Sequence, residues 1–169
     1  MNAKPTLPTL GLYLLTLTLA ASAPKASWFE ARTTGAHTIS MSGTAEFGNG
    51  TPDAAQAPFV ISLGTQSSAG AVIFTRPDGG RLEPGAYLLE ADGPRSIKAL
   101  VVTGSPIHPT GAFHARTGML TITRSQEDII EGRFDLDAVG FEASDPGDET
   151  KELEVRGTFT ASPGNRRAW

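Results

Sequence analysis

Apolar residues recur at every second position through most of this chain, and no long segment keeps a helical period. Successive side chains of a strand point to opposite faces, so this alternation marks strands with one buried face. In His37 to Phe47 the apolar residues Ile39, Met41, Ala45 and Phe47 all fall on odd positions. The same reading predicts strands at Phe59–Leu63, 71–75, 86–90, 97–103, 112–116, 119–124, Ile129–Ala138 and Glu152–Ala161, nine in all. Turn residues separate them: Asn49-Gly50, Pro52-Asp53, Pro77-Asp78-Gly79-Gly80, and a Pro- and Gly-rich loop over 104–111. Thr117-Gly118 reads as a two-residue hairpin turn. Two predicted strands, 59–63 and 97–102, are apolar on both faces, which places them centrally under a covering layer or loop. Many short strands at close intervals point to an all-β domain, an antiparallel two-sheet sandwich with jelly-roll-like character.

The start of the chain has a different pattern. Lys4 precedes an apolar run from Leu10 to Leu19, and the small residues Ala20-Ala21-Ser22-Ala23 follow. That is the layout of a secretory signal peptide over residues 1–23, cleaved after Ala23 or, because Pro24 would follow that bond, after Ser22. The run is too short to span a bilayer, which takes about 20 apolar residues. The expected division is a signal peptide at 1–23, an irregular leader at 24–36 docked by Trp28 and Phe29, a β domain at 37–162 and a polar tail at 163–169. Removing 23 of 169 residues leaves 146, the size of one domain with a real core.

The mature part would carry 13 basic and 18 acidic residues, a formal charge of −5. A nucleic acid or an anionic membrane surface would call for a basic patch, so neither is an expected partner. The chain has no Cys, which excludes disulfides, a thiolate nucleophile, a thiolate metal site and lipid attachment through an N-terminal cysteine. A transmembrane β-barrel is disfavoured by the five-to-seven-residue length of six of the nine predicted strands, shorter than the roughly 9–11 needed, and by an aromatic content of 7%, too small for two girdles.

Five segments together carry a resemblance: Ser42-Gly43-x-Ala45-x-Phe47; Pro84-Gly85-Ala86-Tyr87; Phe113 with Thr117-Gly118-x-Leu120-Thr121-Ile122-Thr123; Gly132-x-Phe134-x-Leu136-x-Ala138; and Val155-x-Gly157-x-Phe159. The chain resembles small exported bacterial β-sandwich proteins of uncharacterised function, many of them lipoproteins, although it lacks their lipidation cysteine. The resemblance implies a β-sandwich in an exported compartment and transfers no catalytic residue.

Catalytic signatures are sparse. There is no G-x-S-x-G nucleophile elbow, phosphate loop or dinucleotide fingerprint. His37 begins a predicted strand, His108 lies between prolines in a loop, and His114 faces away from Phe113. None of the three has the spacing of helical metal ligands. Glu142, Asp145, Asp148 and Glu149 crowd one loop, with Asp135 and Asp137 upstream, but 142–149 lacks the alternate-position ligands of a calcium loop and reads as a solvated acidic turn. No metal or cofactor is expected. Tyr87 is assigned to core packing, and Trp169 to the tail.

Two functional expectations follow. The first is a non-catalytic binding or structural module of the cell envelope, periplasmic or secreted, whose partner is a protein or a glycan. The second is a small hydrolase or lyase with a loop-built site joining His108 or His114 to a carboxylate. One packing expectation is sharper. Strands 129–138 and 152–161 should pair antiparallel with Gly132 opposite Phe159, Phe134 opposite Gly157 and Asp135 opposite Arg156, at the expense of setting Asp137 against Glu154.

Overall fold

The computed structural model describes residues 26–49, 57–64, 68–89, 96–144 and 150–164. The signal-like segment, residues 145–149 of the acidic loop and Trp169 lie outside them. Among the described residues there are ten strands and no helix. They are β1 (Trp28–Gly35), β2 (Ser40–Gly43), β3 (Ala45–Asn49), β4 (Phe59–Leu63), β5 (Gly70–Arg76), β6 (Gly85–Leu88), β7 (Lys98–Ser105), β8 (His108–Gln126), β9 (Ile129–Glu142) and β10 (Lys151–Pro163).

The all-β expectation holds, and the hydrogen bonds define how the layers arise. All ten strands belong to one sheet. Following the pairing from β10 through β3, β4, β5, β7, β8 and β9 leads back to β10, with β1–β2 branching from β10 and β6 from β8. Every ladder is antiparallel except the short closing contact, where Ser162 and Pro163 of β10 lie parallel to Glu46 and Phe47 of β3. The walls of this one sheet meet across the core. The Phe74 ring on β5 lies 5.2 Å from Phe134 on β9, edge to face, and 6.4 Å from Phe159 on β10.

The longest strand, β8, changes partners along its length. The first part of β8 pairs with β7, and its later part, 119–122, pairs with β6. Register shifts between Ala115 and Thr117 and between Ile122 and Arg124 mark the bulges that allow this. Thr117-Gly118 is therefore no hairpin turn; β8 continues through it. Gly118 is required for another reason. Its φ is +147°, and a Cβ there would sit 2.6 Å from the Leu136 Cα of the neighbouring strand. The expected loop over 104–111 likewise shrinks to a tight turn at Pro106-Ile107, because Gly104 at φ +76° absorbs a register shift and lets pairing continue on both sides.

The leader expected at 24–36 is also corrected. Trp28–Gly35 is β1, paired along its length with β10, and its alternation buries Phe29, Ala31 and Thr33. Thr33 then shapes the turn into β2. Its hydroxyl donates to the His37 carbonyl and accepts from the Ile39 N–H, both at 2.9 Å. His37 thus sits in that turn rather than at the head of a strand, and the single strand expected from 37 to 47 is broken at Thr44 into β2 and β3.

The β9–β10 pairing has the register that the sequence favours. Gly132 faces Phe159, Phe134 faces Gly157, Asp135 faces Arg156 and Asp137 faces Glu154. Both rings are buried. A Cβ on Gly157 would lie 2.6 Å from the Phe134 Cζ, and one on Gly132 2.8 Å from the Phe159 Cζ. Each ring thus occupies the space its facing glycine leaves free.

Candidate functional site

Burying the odd positions of β1, β2 and β10 and the even ones of β9 leaves the other parity on the outer face. On β2, β1, β10, β9 and β8 that face is concave and holds a trough of about 1130 Å³. The ladders fix its layout in two rows across the strands. One row runs Ser42, Glu30, Thr158, Arg133, Thr121. The next runs Ser40, Arg32, Arg156, Asp135, Met119. Asp137 lines the margin beyond the second row, where its Oδ2 accepts from the Thr117 hydroxyl at 3.1 Å.

Within the rows the charges are unevenly matched. Arg156 is shared between acids, with Nε 3.0 Å from Asp135 Oδ2 and Nη2 4.0 Å from Glu154 Oε2. Glu154 also accepts from the Thr34 hydroxyl at 3.3 Å. Arg32 lies directly opposite Arg156, and neither Arg32 nor Arg133 has an ion-pair partner among the described residues. All three arginines are exposed, and each can offer a planar fork of N–H donors to a carboxylate or phosphate. Among the described residues no Trp or Tyr lines the trough, and so none of them offers a platform on which sugar rings stack. The trough can grip polar and charged groups.

The three histidines are not brought together. The imidazole Nε2 of His37 touches Glu142 Oε1, and Lys151 Nζ lies 3.3 Å from Glu142 Oε2. This clasp ties the β1–β2 turn to the loop end of the β9–β10 hairpin and nearly buries the Glu142 carboxylate, with 8% of that side chain exposed. His108 opens β8, where its backbone N–H donates to Ser105 Oγ at 3.1 Å. His114 lies on the outer face of β8 opposite Leu100 and Val139, away from Phe113 as expected. None of the three lines the trough. Among the described residues no three His, Asp or Glu side chains gather as metal ligands would. Tyr87 packs against the core and donates from its hydroxyl to the Glu83 carbonyl at 2.7 Å. Trp28 is exposed at the start of β1.

Sequence reasoning assigned no residue to this site. It named Asp135 and Asp137 only beside the acidic turn and Arg156 only as a register partner, and it gave no site role to Glu30, Arg32, Arg133, Ser40, Ser42 or Thr158. The available signal was parity, since all six fall on the polar phase of their strands. What parity does not supply is strand adjacency, without which Arg32 and Arg133 are unrelated surface charges. Comparison of the chain with protein-family models, with curated proteins and with solved structures gave no match. The class that fold and site define is thus an all-β protein with a charged trough on the outer face of its sheet.

Proposed function

We propose that this protein is an exported, non-catalytic binding module of the cell envelope, periplasmic or secreted after loss of a signal peptide, and that the trough is its binding face. The observation that carries the reading is the concavity of a sheet face lined with arginines, carboxylates and hydroxyls. A sheet surface that only needed solvation could be flat and fully paired. Export rests on the signal-like layout of residues 1–23. The outer face carries Glu30, Arg32, Asp135 and Arg156, charges that a lipid-facing barrel wall would expose at high cost. That polarity, rather than strand length, argues against a membrane barrel, since β8, β9 and β10 have 19, 14 and 13 residues. A protein segment suits the trough better than a glycan, because its lining among the described residues offers hydrogen bonds and ion pairs and no Trp or Tyr to stack on a sugar ring. The alternative of a small hydrolase or lyase draws less support, because the one histidine–carboxylate contact among the described residues, His37 with Glu142, is outside the trough lining.

The test is a panel of short peptides and oligosaccharides titrated into the mature protein while backbone amide shifts are followed by NMR. Binders should perturb Arg32, Arg133, Arg156 and Thr158. Perturbations centred instead on His108 and His114, or turnover of a panel member, would overturn the proposal.

A further inference from the structure

We infer that Arg32, Arg156 and Arg133 form a receptor for one carboxylate, that of an acidic side chain on an extended peptide flanked by basic residues. This rests on the trough being the binding face. The three arginines lie on three consecutive strands, β1, β10 and β9. Arg32 and Arg156 are direct cross-strand partners, and Arg133 is opposite Thr158, two residues along β10 from Arg156. Like charges set directly opposite one another destabilise a sheet. Here the surroundings relieve only one of them, since Asp135 meets Arg156 at 3.0 Å. Arg32 and Arg133 keep their donors free of ion pairs among the described residues, on either side of an arginine that Asp135 holds in place. A carboxylate between them would accept charge-assisted hydrogen bonds from planar forks, the geometry such donors match best. The hydroxyls of Ser40, Ser42, Thr158 and Thr121 border the same space.

The flanks set the rest of the ligand. Glu30 is two residues from Arg32 along β1, and Asp137 is two residues beyond Asp135 along β9, so carboxylates bound the arginines on both sides. A polyanion would be repelled there. An extended chain places residues i and i+2 about 6.8 Å apart, the same spacing that separates Glu30 from Arg32 along their strand. A Lys-x-Glu-x-Lys segment therefore matches the pattern of signs, with its glutamate on the arginines and its lysines toward Glu30 and Asp137.

The experiment uses a fluorescein-labelled Lys-Ala-Glu-Ala-Lys peptide and its Lys-Ala-Gln-Ala-Lys counterpart, titrated by anisotropy into the mature protein and into Arg32→Gln and Arg133→Gln variants. The glutamate peptide should bind about tenfold or more tightly than the glutamine one. That preference should vanish in the Arg32→Gln/Arg133→Gln double variant and weaken as salt rises. Arg32→Gln should melt no lower than the parent protein, because it removes a like-charge pair, so lost binding is not lost folding. Equal binding of the two peptides, or a preference that survives the double variant, would overturn the inference. So would tighter binding of tetragalacturonate, which carries the carboxylate on a glycan. Ligands that bind in the trough with no carboxylate preference would defeat this inference alone, whereas ligands that map elsewhere would defeat the trough.

Discussion

The two glycine–phenylalanine contacts between β9 and β10 make a quantitative prediction. Phe134 is 3% exposed and Phe159 2%, and both rings contact Phe74, so truncating either removes a buried ring from a three-ring cluster. Phe134→Ala and Phe159→Ala should each cost about 3–5 kcal/mol, transfer and cavity terms together. Gly157→Ala should also destabilise, by about 1–3 kcal/mol, because its Cβ would fall 2.6 Å from the Phe134 ring and 2.6 Å from the Glu30 carbonyl oxygen. The first clash disappears when the ring is gone, and the second persists. The double variant Gly157→Ala/Phe134→Ala should thus be less unstable than the sum of its singles, with a coupling of about 1 kcal/mol and a residual cost from the backbone contact. Urea denaturation of the mature protein, followed by tryptophan fluorescence and by far-ultraviolet dichroism, measures all four corners of the cycle. Coincident transitions would license the two-state treatment. A double variant whose loss equals the sum of its singles would refute the claim that ring and glycine share one space.

Further outcomes are expected elsewhere. Thr33→Val should cost about 1–3 kcal/mol, because the buried hydroxyl bridges the His37 carbonyl and the Ile39 N–H, and thermal melts would read it. Gly140→Val should prevent pairing of β8 with β9, since a Cβ at Gly140 meets the Phe113 Cα at 2.6 Å; normal yield and melting of this variant would contradict the register. EDTA should leave the melting temperature unchanged, and a large drop would identify the acidic loop or the histidines as ligands. Mass spectrometry of exported protein should show cleavage between residues 21 and 26; an intact Met1 would refute the signal peptide.

The sequence by itself determined most of the strands and their faces. Burial follows the period of two so closely that the inward set on β9 and β10, Phe134, Leu136 and Ala138 with Val155, Phe159 and Ala161, was legible from spacing alone. It also determined the β9–β10 register, because each glycine has one position at which a ring fills its gap. Two kinds of feature misled. Thr117-Gly118 looks like a turn because glycine serves turns and close strand approach equally well, and only the nearness of Leu136 decides between them. Residues 28–35 look like a leader because β1 has its partner β10 at the far end of the chain, Phe29 against Phe159. Tertiary structure alone decided the trough. Arg32 and Arg156 are 124 positions apart in the chain and directly opposite in the sheet. Which strands become neighbours depends on how β8 shifts register between its partners as one sheet closes around one core. That is a property of the whole packing, and no local run of residues encodes it.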